Sequence, residues 1–571
     1  MPLSHIWTKR LAAAALALAA IGCAADTETG QGTPPPATST AAPDWAHRDE
    51  WGVPHVKAST DAAVAFGSAW AQCEDHFFQL EDTYIKALGR YAEVVGESGF
   101  RSDLEVALFD LVETSRRDFP DLPESIRRIA EGFSAGYNFY LEKHPEEKPR
   151  LLERMEPFHV LAFERYMILG RLLGAAHAPR GRLPRLAEEL AASLGSNQWA
   201  VAPSKTRDGN AMLFINPHQP WYGSGMFTEM HVVSDEGLNF SGAMYPGGPL
   251  PTAGFNERLG WAYTVNAADI SDTYRLTFDH PTDPLKYRYG SGYRDAEEWS
   301  ATIHVREGEG EALVPRQVVL RRSHYGPIIA REDDGHYLAV RVPRLYEGSR
   351  MVQALAQAKA RTFEEWYAAV SMQLLQTFNT TYADADGNIF YLYNGAMARR
   401  DPSVDWTRPV DGADPNNEWG PFHPVEELPQ VLNPPSGYVQ NCNSSPFTTT
   451  DDGNPSLLDF PPYMVEDKHD DKRRAKMARY LLRNARDITF EDFQDLAYDT
   501  TLYWPMTELP VYARRLEELE GTDPDLADRV RPYLEHTSRA RSPPPRRPWP
   551  SAGTKNSTAA ATPSRPSSPS T

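Results

Sequence analysis

The chain has 571 residues, 41% of them hydrophobic and 24% charged, with a formal net charge of −20. Length and composition fit a large folded core and exclude a disordered chain. The acidic balance excludes nucleic acid as a partner, because binding phosphates needs a basic surface.

Residues 1–23 read as an export signal. Lys9 and Arg10 precede an alanine-rich apolar run, Leu11 to Ile21, too short to span a bilayer. The run ends in Ala20-Ile21-Gly22-Cys23, which resembles a bacterial lipobox. In that reading Cys23 carries a lipid; the alternative is an ordinary signal peptide cut nearby. Either way the protein is exported, to the periplasm or the cell surface, and meets the membrane only through a lipid anchor. Residues 24–43, rich in Thr, Pro, Ala and Gly, read as a flexible tether.

Residues 44–177 read as helical. Apolar residues recur at three- and four-residue spacing from Ala62 to Val95, with Gln79, Glu81 and Arg90 on the other faces. Further helices are predicted at Glu124–Leu141 and Pro157–Leu173. Residues 178–195 change character, with Pro179, Gly181 and Pro184, and read as a connector. The pattern then switches to short strands around Trp199 and at Ala211–Ile215, separated by a turn at Arg207–Asn210. Strand signals recur at Leu313–Leu320, Tyr337–Val342 and Ile389–Tyr393. Helices return at Thr362–Met372, Lys472–Leu482 and Phe490–Ala497. Residues 536–571 hold no acidic residue, eight prolines and six basic residues, and read as a disordered basic tail.

Cys73 and Cys442 are the other cysteines. Spacing does not show whether they pair, and two buried free thiols is the preferred reading. There is no CxxC, HExxH, Cys/His cluster or phosphate loop, which argues against zinc and nucleotide sites.

One block carries chemistry. Leu194-Gly-Ser-Asn-Gln-Trp-Ala-Val, followed by Asn216-Pro-His218, resembles the start of the catalytic β chain in the penicillin acylase family of N-terminal nucleophile hydrolases. Further blocks occur in that family's order. They are Trp51-Gly-Val-Pro-His, Ala71 to Glu81, Leu259 to Val265 with Asp269 and Asp272, Tyr382 to Ile389, and Ser436 through Asn443 to Pro446. The resemblance closest in look is to the branch that deacylates acyl-homoserine lactones and the lipopeptide aculeacin. It spans about residues 44 to 535.

The resemblance implies an α+β fold, the four-layer αββα arrangement. Two antiparallel sheets would lie face to face, with Ser196 opening an inner strand and helices outside. It implies a cut between Gly195 and Ser196, giving a helical α chain and a β chain from 196 to 535 as a heterodimer.

A serine hydroxyl is a poor nucleophile without a base. An N-terminal serine carries one: its α-amine has a reference pKa of about 7.7–8.0 and is partly neutral near pH 7. Glycine at 195 suits self-cleavage because it tolerates a distorted backbone. The oxyanion formed on attack needs preorganised donors. By resemblance these are the Val265 backbone N–H and the Asn443 side-chain amide, with His218 orienting the amine and Arg474 supporting the asparagine. Each has a plainer reading: a turn residue for Asn443, a loop histidine for His218, ordinary packing for Val265, a solvated helix face for Arg474.

Asp269 and Asp272 match carboxylates that hold a structural calcium in some family members. Two carboxylates are not a calcium site by themselves, since calcium takes six to eight oxygens, and a hydrogen-bonded turn is the alternative. No cofactor is required for the chemistry. The implied reaction is hydrolysis of small N-acyl amides, of acyl-homoserine lactone or lipopeptide type, with a penicillin or cephalosporin acylase as the alternative. Family β chains extend further than this sequence does, so the β region reads as shortened. An inactive surface lipoprotein remnant is therefore the reading from another class.

Overall fold

The structure is a computed structural model describing residues 46–174, 195–308 and 312–539. The export signal, Cys23, the tether, the connector up to residue 194 and the tail beyond residue 539 lie outside the described residues.

Two units divide the chain at Ala497 and Tyr498. The first contains the sheets and the candidate site. Its largest sheet has nine strands. In spatial order these are Ala46–Arg48, Pro54–Ala58, Thr228–Ser234, Asn239–Met244, Ala253–Phe255, Leu259–Thr264, Thr377–Asp384, Ile389–Gly395 and Gln430–Leu432. All neighbours pair antiparallel except Pro54–Ala58 with Thr228–Ser234, where His55 lies opposite His231 in parallel. A three-stranded antiparallel sheet, with Gly195–Val201 between Tyr438–Asn441 and Met212–His218, packs on one face.

Strand periodicity sets which side chains fill each layer. Along Gly195–Val201, Trp199 and Val201 point outward into a cluster with Ala475, Ala478, Leu482 and Phe493, supplied by helices Arg473–Asn484 and Phe490–Ala497. The Trp199 and Phe214 rings pair across two strands of this sheet at 4.0 Å between centroids. Ala200 points the other way, into the main core, and the alternation sends Ser196 to that inner side. On the far face of the nine-stranded sheet, Trp261 and Tyr382 pack against Trp366 of helix Phe363–Val370. Helix Asp61–Ala87 covers the strands beginning at Pro54 and Thr228. The layers are helix, sheet, sheet, helix, in an α+β fold.

The structure adds and corrects several features. The helical stretch read over residues 62–95 is two helices, Asp61–Ala87, kinked at His76, and Ala92–Val95, joined by a turn through Gly89 at φ +65°. Glu81, read from its spacing as lying off the apolar face, is fully buried: it accepts from the backbone N–H groups of Leu151 and Leu152 at 2.9 and 3.1 Å. A buried carboxylate with backbone donors escapes any pattern that equates charge with solvent. A six-stranded sheet that the sequence reading did not separate includes Glu297–Arg306, Leu313–Ser323 and Asp272–Leu276. Cys73 and Cys442 are both buried and free.

The second unit is a pair of helices, Tyr503–Thr522 and Pro524–Arg539, with Arg531 bridged to Glu520 at 2.6 Å. The second helix carries regular structure to Arg539, three residues past His536, where the sequence reading began the tail. No helix among the described residues is long and apolar enough to cross a membrane.

Candidate active site

Three distant segments converge on the Gly195–Ser196 peptide. The amide N–H of Ser196 donates to Asn443 Oδ1 at 2.6 Å. Ser196 Oγ donates to the Gly195 carbonyl at 2.5 Å, so the hydroxyl lies against the bond that would be cut. The backbone N–H of His218 donates to Ser196 Oγ at 3.4 Å, a consequence of strand register that sets Gly195 opposite His218.

Arg474 arrives on the first turn of helix Arg473–Asn484. A cation is disfavoured at a helix N-terminus, but acceptors hold this one. It donates to the Ser196 carbonyl at 2.8 Å, to Asn443 Oδ1 at 2.9 Å and to Asn197 Oδ1. Its plainer reading, a solvated helix face, does not describe these contacts.

Asn443 is a non-glycine residue in the left-handed region, at φ +58°. Its Oδ1 faces Ser196 and Arg474, and its Nδ2 donates to the Val265 carbonyl at 2.8 Å. An amide nitrogen carries two protons, so one donor remains beyond that bond. Val265 lines the same cavity as Ser196.

The His218 ring faces the same bond. Its Nε2 lies 2.9 Å from Asn216 Oδ1. Burial, and then the Arg474 guanidinium, hold its pKa below the ordinary imidazole value. A Cβ built on Gly195 would meet His218 Nδ1 at 3.1 Å, an Arg474 guanidinium nitrogen at 3.2 Å and Asn443 Oδ1 at 3.4 Å. Gly195 sits in an extended strand, so here glycine provides room for three polar groups rather than an unusual φ.

Asp269 and Asp272 do not join this site, and their geometry does not fit calcium. Arg400 Nη1 donates to Asp269 at 3.1 Å and to Asp272 at 2.7 Å, with all three side chains buried. The guanidinium already supplies the cation between the two carboxylates. Among the described residues no group of three or more His, Cys, Asp or Glu is arranged to hold a metal.

Beside Ser196 lies a largely apolar cavity with Ile215, Phe227, Leu375 and Phe378 in its walls. Tyr245, Thr252, Tyr263, Arg350 and Leu375 are shared with a second cavity, lined further on by Val160, Phe163, Leu250, Met351 and Ala354. Helix Pro157–Gly174 supplies walls to both from before the candidate cut. Gly247, at φ +97°, lets the chain pass between Tyr84 and Phe163; a Cβ there would meet their rings at 2.9 and 3.0 Å.

The profile of the family described as Penicillin amidase matches residues 46–541. The chain belongs to the penicillin amidase family. Among curated proteins of known name it is 27% identical over 501 residues to Penicillin acylase 2 proenzyme of Pseudomonas sp. (strain SE83), covering 77% of this chain and 62% of that protein. It is 24% identical over 525 residues to Acyl-homoserine lactone acylase PvdQ of Pseudomonas fluorescens (strain Pf0-1), covering 81% of this chain and 66% of that protein. A solved Thermostable Penicillin G acylase from Alcaligenes faecalis superposes with a TM-score of 0.46 at 22% identity, covering 58% of this chain and 56% of the other. The chain spans about two-thirds of the length of the curated relatives it matches.

For this member of the penicillin amidase family, Ser196, His218, Val265, Asn443 and Arg474 are together in one site. Sequence reasoning missed the residues behind them: Asn197, which accepts from Arg474, Asn216 against His218, and the buried polar side chains beneath Val265 and Asn443. Asn441 closes the strand Tyr438–Asn441 and Asn443 lies beyond it with a left-handed backbone, so strand alternation gave no signal for the pair.

Proposed function

We propose that this chain is the precursor of a self-processing amidohydrolase that removes the acyl group from small N-acyl amides through an acyl-enzyme on Ser196. The observation that carries the reading is the convergence of Asn443, Arg474 and His218 on the Gly195–Ser196 bond, with the Ser196 hydroxyl folded onto its carbonyl.

In this reading Oγ attacks the Gly195 carbonyl carbon, the C–N bond breaks, and water hydrolyses the resulting ester. Ser196 is left with a free α-amine as base. In turnover Oγ attacks the substrate amide carbon while the amine takes its proton. The oxyanion is met by the Val265 N–H and the remaining Asn443 N–H. The proton passes to the departing amine, and water then releases the acid. Arg474 holds Asn443 Oδ1, and His218 holds the nucleophile through its backbone N–H. No external cofactor enters. The mature protein is an α/β heterodimer outside the cytoplasm, anchored by lipid at Cys23.

The paired apolar cavities favour an extended acyl chain, of acyl-homoserine lactone or lipopeptide type. A β-lactam acylase is the second reading, motivated by the relatives named as penicillin acylases. Denaturing electrophoresis with N-terminal sequencing tests the central claim. Two fragments, the heavier beginning at Ser196, are expected, and a single uncut band with no amide hydrolysis supports the inactive remnant instead. Turnover on a series of N-acyl amides against penicillin G separates the two substrate readings.

A further inference from the structure

The sheet face that looks toward the nucleophile is polar where a core is ordinarily apolar. Alternation along Leu259–Thr264 and Thr377–Asp384 sends Trp261 and Tyr382 toward the helices and Thr264 and Asn379 toward Ser196's sheet. There they meet Asn441, from the strand beside the nucleophile's own. Thr264, Asn379, Tyr391 and Asn441 are each at most 1% exposed.

Asn441 Oδ1 is the hub. It accepts from Thr264 Oγ1 at 2.7 Å, from Asn379 Nδ2 at 3.1 Å and from the backbone N–H of Asn443 at 2.8 Å. Asn379 Nδ2 also reaches the Val265 carbonyl at 3.3 Å, and Tyr391 donates to Asn379 Oδ1 at 2.6 Å. One oxygen thus ties the backbone of Asn443 to the residue before Val265, while Asn379 ties down Val265 itself. The bond to the Asn443 N–H also holds a non-glycine residue in its left-handed backbone conformation.

We propose that Asn379 and Asn441, braced by Tyr391, are positioning residues that fix the Asn443 amide and the Val265 peptide relative to each other, so that their N–H groups meet one oxyanion. This rests on the reading of Ser196 as nucleophile. None of the three side chains touches substrate; each acts through Asn443 or Val265. A buried, fully joined polar network suits this task, because it allows few alternative arrangements.

The test uses the full chain. Tyr391→Phe removes only the brace on Asn379. Thr264→Val removes one donor to the hub, and Thr264→Ser keeps it. The probes are p-nitroanilides of straight-chain fatty acids from four to fourteen carbons, with kcat and KM measured on the one the unaltered protein turns over best, and urea midpoints measured in parallel. Tyr391→Phe and Thr264→Val are expected to lower kcat about ten- to a hundredfold, the scale of a misplaced catalytic group. KM should stay within about twofold, and Thr264→Ser should recover most of the rate. Unchanged kcat in both variants, or a loss appearing in KM instead, overturns the proposal while leaving the Ser196 reading intact. A wild-type chain that stays uncut and turns over none of the anilides overturns the Ser196 reading, and this proposal falls with it.

Discussion

Asn443 spans the gap between the nucleophile and the strand end opposite it: Oδ1 accepts from the Ser196 N–H at 2.6 Å while Nδ2 donates to the Val265 carbonyl at 2.8 Å. One planar amide therefore fixes both groups at once. Asn443→Ala is expected to lower kcat about a hundred- to a thousandfold, the usual cost of losing one oxyanion donor. Steady-state kinetics on the processed variant checks this.

Gly195 has three polar neighbours where a side chain would begin. Gly195→Val adds branched bulk against His218, Arg474 and Asn443. It is expected to slow or stop the cut while leaving the fold intact, as read by fragment appearance over time on denaturing gels. Cutting at the wild-type rate would mean that the convergence on this bond has no part in processing.

Arg400 is the guanidinium partner shared by two carboxyl groups inside the core. Arg400→Met leaves both without their guanidinium, and removing one partner from a buried ion pair typically costs about 3–5 kcal/mol. A large fall in urea midpoint is expected. For the same reason a strong chelator should leave the stability of the unaltered chain unchanged.

The two apolar cavities that meet at Tyr263 and Arg350 make a length prediction. Ala354→Phe fills part of the far cavity. It should depress kcat/KM for long acyl chains by roughly fourfold per excluded methylene, from about 0.8 kcal/mol each. Short chains should be unaffected. A uniform loss across chain lengths would show that the far cavity does not receive the acyl tail.

The lowered pKa of His218 gives a pH dependence with a definite sign. Below about pH 6.5 the unfolded chain gains a proton on this residue that the native state resists. Its contribution to stability is thus complete above that value and declines as pH falls toward the native value. His218→Gln should flatten this part of the stability curve, as measured by urea midpoints between pH 5 and 8.

Much of this was legible in the sequence, for physical reasons that differ by residue. Helix periodicity found Glu124–Lys143, because one apolar stripe faces one core; Pro157–Gly174 was legible as a longer apolar run, buried on nearly every side from Phe158 to Leu173. The nucleophile strand was legible because Trp199 and Val201 alternate with Ser196 and Ala200. Asn443, Val265 and His218 were reached through motif resemblance; His218 comes from the neighbouring strand, but Asn443 meets Val265 and Ser196 through contacts 178 and 247 residues apart that no local pattern encodes. Arg400 was invisible for the same reason: its carboxylate partners lie 128 and 131 residues away. Asn379 lay outside every strand read from the sequence, in the strand Thr377–Asp384. Its role appears only when the face it shares with Thr264 is known.

The strand Pro54–Ala58 lies hydrogen-bonded beside Thr228–Ser234, one from each side of the candidate cut. Breaking the bond before Ser196 would therefore sever covalent continuity without dividing the sheet. The two polypeptides would share one set of ladder bonds and one interior, and their separation would require unfolding rather than simple dissociation. A severed and an intact molecule should migrate alike under native conditions and differ only once the sheet is melted.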